Sequence, residues 1–269
     1  MEHFKSPYSS VDFVSSRAIE NERFFRDVLR NAKTHRFFAH PFMSTFERQN
    51  PSAGVVSFVL TSFYKIVTPF TGLLCSLGGR APNLRARFAL MDNIYEEMGC
   101  GDLSACHPSM YLKMLDSIGV SEATADAMPT LPSILRINEH LHDVVQRQSF
   151  AVACAVLASA EATIPPSFPV LAAVAKRAFP HVDMDFFDRH GPRDEGHSDD
   201  ATMLFAVTAD SSMYAAVEAG VKLDLDFRAE LFDEWMTALN DSTTRRVSER
   251  PARPLSVRPP ARDSVAPPG

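Results

Sequence analysis

A chain of 269 residues is long enough to bury a large core and fits one or two domains. Its net charge of −6 hides an asymmetry: from Arg245 onward six Arg stand against Glu249 and Asp263, a balance of +4 that leaves −10 on the preceding body. So acidic a body speaks against nucleic acid as a substrate, and the Pro/Arg-rich stretch 244–269, which has no apolar periodicity, is expected to be a disordered tail behind one domain over 1–243.

The apolar spacing predicts an all-α chain. Helices are expected near 17–47 (broken around His40-Pro41), 53–78, 82–98, 108–127 (split at Gly119), 132–164, 167–178, 184–209, 211–220 and 226–240. There is no strand-like alternation, internal repeat or Gly-rich phosphate loop. The amino terminus, with Glu2, His3 and Lys5, lacks the apolar core of a signal peptide. Phe24-Phe25, Phe37-Phe38 and Phe42 crowd the first predicted helix, a pattern more often core than substrate box. The stretch Gly54 to Gly79 is the most apolar long segment, yet Lys65, several hydroxyls and Pro69 make it a buried bundle helix and not a membrane span. Lys65, the sole charge there, either snorkels to the surface or meets a substrate carboxylate.

In the next helix, Arg85, Ala89, Asp92 and Glu96 share a polar face while Leu90, Ile94 and Glu97 share the inward one. The adjacent glutamates are therefore not equivalent: Glu96 reads as solvated, Glu97 as core-facing. Gly99 ends the helix and His107 opens the next with Pro108 behind it, so Glu97 and His107 meet if the loop doubles back. Cys75, Cys100, Cys106 and Cys154 form no disulfide framework and no CxxC pair, which suits a reducing cytoplasm and argues against a zinc site.

From Phe150 to Ile164 the only ionisable group is Glu161, set among small alanines that let other helices approach. A carboxylate there is costly unless it is paired or holds a metal; pairing with an Arg or capping the loop before Pro165 are the plainer alternatives. His140 and His142, at i and i+2, point to different faces and lie some five turns from Glu161, so they belong to no common site. Further on, His190, Asp194 and His197 stand at i, i+4 and i+7, one stripe of a helix. Two imidazoles and a carboxylate suit iron or manganese; an exposed polar turn is the alternative. Arg189 and Arg193 flank the motif and either bind a substrate carboxylate or pair with Asp185 and Asp188.

Together Glu97, His107, Glu161, His190, Asp194 and His197 are three carboxylates and three imidazoles from four helical segments, the inventory of carboxylate-bridged diiron bundles. Glu-x9-His, an isolated Glu before a proline turn, then His-x3-Asp-x2-His resembles the haem-oxygenase-like diiron oxidases over about Pro82 to Ala201. That family shares the helical fold of haem oxygenase, the TenA thiaminases and the pyrroloquinoline quinone synthase, but carries iron in place of haem. The resemblance implies a bundle of about seven core helices and those six residues as ligands of two Fe(II) ions. O2 is then a co-substrate, an external electron donor is compatible, and homodimers are common. Gly191, Pro192 and Gly196 fall inside the last motif, so either Pro192 starts that helix or the helix is kinked, and the second iron is expected to be the more labile. A small free amino acid or derivative is the leading expected substrate, with a fatty acid as runner-up on account of the Phe-rich interior; a non-catalytic binding module and a cysteine hydrolase using Cys154 are the alternatives from other classes.

Overall fold

The computed structural model describes residues 15–248, leaving aside the side chains of 190–199 and 242–248. Among the described residues there are eleven α-helices and no strand: α1 (Ser16–Ala32), α2 (Pro41–Gln49), α3 (Ala53–Gly79), α4 (Leu84–Glu97), α5 (His107–Ser117), α6 (Glu122–Ala127), α7 (Pro132–Arg147), α8 (Phe150–Glu161), α9 (Ile164–Ala178), α10 (Asp185–Thr208) and α11 (Tyr214–Ser248). Helix starts follow local chemistry. Ser15, Ser52, Asn83, Ser121 and Ser149 each accept a hydrogen bond from a backbone N–H of the turn they open.

At the centre lies α8, all twelve of whose residues are buried. Its row of Ala and Val lets α7, α10 and α11 pack around it, as the small side chains led one to expect. Gly220 of α11 packs closely on α8. A Cβ built on it would stand 2.7 Å from Val156 Cγ2, so a larger residue there would force α8 or the valine side chain to shift. The aromatic half of the core joins α2, α3 and α11: Phe42 and Phe232 pack against Trp235 and Phe46 stacks on Phe42, while the Trp235 indole N–H donates to Ser62 Oγ at 2.8 Å. Burial of each such large side chain contributes about 1.5–3 kcal/mol. Asn21 on α1, fully enclosed, donates to the carbonyls of Ala206 and Ala209 at 3.0 and 2.8 Å and accepts from Tyr214 O–H at 2.8 Å, holding the C-terminal end of α10.

Several expected boundaries differ. The stretch 132–164 is two helices, because Ser149 caps α8 and the Arg80 guanidinium takes up the carbonyls of Val145 and Gln148 where α7 stops. The stretches 211–220 and 226–240 are one helix after a short 3-10 turn, and α11 stays helical past position 243, the expected end of the domain. Residues 249–269 lie outside the described residues. Helix α1 ends at Ala32, well before His40, and α10 begins at Asp185, so Pro192 does not start it. On α4, Ala89 is buried instead of lining a polar face, and Leu84, Phe88, Met91, Tyr95 and Met98 form an exposed apolar stripe. Helix α3 and the run Phe150–Ala178 are long and apolar enough to cross a membrane by composition, but most of the second is enclosed in the bundle and α3 packs along α4, α5 and α7.

Candidate metal centre

Glu97 is the last residue of α4 and His107 the first of α5. The loop between them doubles back through two 3-10 turns, Gly99–Gly101 and Leu103–Ala105, and brings Glu97 Oε2 to 2.8 Å from His107 Nδ1. Its pivot is Gly99, at φ +69°, where a Cβ would stand 2.5 Å from the Ala105 carbonyl carbon and 2.6 Å from the Cys106 nitrogen. Three hydrogen bonds hold the outer loop. Asp102 Oδ1 accepts from the Ser104 N–H and hydroxyl at 2.9 and 2.7 Å, bonds that keep this carboxyl below its usual range, and Tyr95 O–H donates to the Cys100 carbonyl at 2.7 Å. On the inner side the Phe186 ring of α10 stands edge-on to the His107 imidazole, centroids 6.3 Å apart.

The helical phase read from the sequence holds: Glu97 is only 5% exposed and Glu96 is partly exposed. Glu161 ends α8, is also 5% exposed, and lines the same cavity as Glu97 and His107. The α8–α9 junction behind it is closed by Thr163 O–H to the Ala160 carbonyl and Ser167 O–H to the Thr163 carbonyl, at 2.6 and 2.8 Å. Among the described residues no three His, Cys, Asp or Glu side chains group tightly enough to enclose an ion by themselves. The side chains of His190, Asp194, His197 and Arg193 lie outside the described residues. The α10 backbone that carries them is helical and runs against α8, α4 and α5, the helices bearing Glu161, Glu97 and His107.

The cavity beside these residues has about 90 Å³ of internal free volume. Its walls are apolar, with Phe63, Phe70 and Ile66 from α3, Phe168 and Leu171 from α9, and Phe232 and Trp235 from α11. Two carboxylates in such surroundings are costly without a compensating cation. Carboxylate oxygens with an imidazole nitrogen suit iron or manganese, so this donor set fits an iron site.

Two of the expected substrate residues are elsewhere. Lys65 is not in the cavity; its ammonium donates to the Asp126 carbonyl at 3.0 Å, in the last turn of α6. Arg189 is exposed and faces Asp185, a carboxyl held low chiefly by Lys113 and to a lesser degree by Arg189 itself. Cys154 is fully buried, and burial pushes its thiol far above the ordinary range, which removes it as a nucleophile. His140 bonds the Gly220 carbonyl at 3.0 Å, apart from the site as expected. Sequence reasoning missed Arg228, which lines the cavity and is paired through Nε with buried Asp224 Oδ2 at 2.7 Å. Its signal was the Asp/Arg spacing of i, i+4, overlooked because Asp224 fell in the gap between two predicted helices while Arg228 lay in the second.

No curated protein matches the chain. Among solved structures it is similar to a CADD-like protein of unknown function from Nostoc punctiforme PCC 73102 (14% identity, 82% of this chain and 99% of that one, TM-score 0.69). It is likewise similar to a domain of unknown function with a heme oxygenase-like fold from Shewanella denitrificans OS217 (15% identity, 87% and 95%, TM-score 0.62). A third similar structure is a TenA homologue from Pseudomonas syringae pv. tomato str. DC3000 (14% identity, 88% and 99%, TM-score 0.61). At such identities these show the fold alone, a heme oxygenase-like bundle. The family model described as iron-containing redox enzyme matches residues 57–229, a stretch that holds Glu97, His107, Glu161 and Arg228, and the chain belongs to that family.

Proposed function

We propose that the protein is an O2-dependent non-haem diiron oxidase or oxygenase acting on the hydrocarbon portion of an apolar small molecule. The observation that carries this reading is the set of two buried carboxylates and an imidazole at one apolar cavity, in a chain of an iron-containing redox family. Glu97, His107 and Glu161 would hold iron from the α4, α5 and α8 side, and His190, Asp194 and His197 from α10. Iron held there supplies the activation of O2. The rest falls to the protein. The Gly99 loop keeps Glu97 and His107 in register, and Phe186 restrains the imidazole. The aromatic walls exclude water and press a substrate C–H bond against the donors.

The same walls favour the fatty-acid class over a small free amino acid. Among the described lining residues the polar groups are few, and the apolar area suits a hydrocarbon chain better than an amino acid's ammonium and carboxylate together. The free cysteines support a reducing, cytoplasmic setting, in which an external electron donor would supply reducing equivalents.

The test is anaerobic loading with Fe(II), then O2 uptake measured against a panel of medium-chain fatty acids and free amino acids with a chemical reductant. Substrate-dependent uptake that disappears in Glu97→Ala and Glu161→Ala, with helical circular dichroism intact, is the expected result. Uptake indifferent to both substitutions, or a wild-type chain that retains no iron, would overturn the reading.

A further inference from the structure

We propose that Arg228 is the anchor for a substrate carboxylate, which makes the ligand of this cavity an apolar carboxylic acid. The inference deepens the proposed function and rests on it for the word substrate, but its geometry stands apart from the metal. Arg228 is 8% exposed and projects from α11 among Leu231, Phe232 and Trp235, which line the same cavity. A guanidinium carries five N–H donors in a planar fork. Asp224, whose side chain is fully enclosed, takes the Nε donor at 2.7 Å. Among the described residues the four donors on Nη1 and Nη2 make no hydrogen bond.

The cavity's own acceptors, Glu97, Glu161, Thr163 and Ser167, make no hydrogen bond to these four donors, and donors left unmade beside apolar walls are costly. A purely structural Asp–Arg pair would serve as well with its free edge in solvent. Here Arg228 is only 8% exposed and lines a cavity, held in place through Nε by a residue one helical turn back. The outer fork of Nη1 and Nη2 matches the two oxygens of a carboxylate, a bidentate pairing stronger and more directional than a neutral hydrogen bond. A phosphate dianion fits less well, because Asp224 already shares the single positive charge. The hydrocarbon part of the ligand then lies along the aromatic walls.

The experiment uses the full-length metal-free protein, so that no iron competes for the carboxylate. Trp235 is the chain's only tryptophan and lines the cavity, so its emission reports occupancy. Decanoate, decanamide and decanol are titrated in parallel. Decanoate is expected to bind saturably, with decanamide and decanol at least about tenfold weaker, as expected for a charge-assisted pair. Arg228→Gln alone strands the Asp224 carboxylate in the core, so the decisive variant is Arg228→Gln with Asp224→Asn. In it decanoate should fall to the affinity of decanamide while decanamide itself is unchanged. Equal affinities of acid and amide for the wild-type chain, no saturable decanoate binding, or an acid preference that survives in the folded double variant would each overturn the proposal. Failure of iron loading with the acid preference intact would sink the diiron reading and leave this one standing.

Discussion

Gly99→Ala tests whether the Glu97–His107 pair depends on a single backbone position. Two costs add at this residue. An L side chain at φ +69° enters the left-handed region, at about 1–2 kcal/mol. The new Cβ would also stand 2.5–2.9 Å from three backbone atoms of Ala105 and Cys106, which cannot yield without moving His107, the next residue. Overpacking of that kind costs about 1–3 kcal/mol, so the whole loss is about 2–5 kcal/mol. At about 2–4 °C per kcal/mol for a domain of this size, the melting temperature should drop by roughly 4–20 °C. Two other glycines separate the causes. Gly101 at φ +91° and Gly119 at φ +85° share the backbone conformation, but a Cβ on Gly101 meets only the Tyr95 hydroxyl at 3.9 Å and one on Gly119 meets nothing within 4 Å. Gly101→Ala and Gly119→Ala should therefore lose only the conformational part. Melting curves of the three variants, with and without Fe(II), decide the matter: Gly99→Ala should be the least stable and should lose most of the iron-dependent gain. A Gly99→Ala protein no worse than Gly119→Ala, with iron binding unchanged, would refute this account of the loop.

Three further outcomes are expected. Glu97→Ala should abolish iron retention measured by metal analysis, whereas Glu96→Ala, at a partly exposed position, should leave it near wild type; the opposite order would mean that the phase of α4 is misread. Asn21→Leu strips hydrogen bonds from the Ala206 and Ala209 carbonyls and from the Tyr214 hydroxyl, and at about 1–3 kcal/mol for a buried group left unsatisfied it should lower the urea midpoint clearly. Burial raises the Cys154 thiol, so almost no thiolate exists at pH 8, and iodoacetamide followed by mass spectrometry should label exposed Cys75 while sparing Cys154 in the native state. Equal labelling of both would show that α8 opens readily.

What could be read ahead of the structure was whatever depends on near neighbours. Ser52 and Asn83 announce their helices through side chains three residues from the N–H they cap, and Glu97 against Glu96 is decided by a rotation of about 100° within one helix. What escaped depends on distant partners. The end of α7 is set with the help of Arg80, at the end of α3, whose guanidinium takes up the carbonyls of Val145 and Gln148. Lys65 looked like a substrate ligand because nothing nearby explained its charge, and its partner is a carbonyl at the end of α6. Arg228 was hidden for a different reason: an Asp/Arg pair at i, i+4 reads as surface decoration until the helix is known to be enclosed.

Each described donor of the candidate centre sits where a helix begins or ends: Glu97 closes α4, His107 opens α5 and Glu161 closes α8. Helix ends are the parts of a bundle that open first, because their outermost amides and carbonyls have the fewest hydrogen bonds to lose. A cation held across three such ends joins segments that would otherwise open independently, and every opening that breaks its coordination then costs the binding free energy as well. Metal occupancy would therefore be written in the exchange rates of backbone amides. Protection should rise in a patch covering 94–98, 107–111 and 158–163, far apart in the chain and adjacent in space, while the middles of the same helices exchange as before.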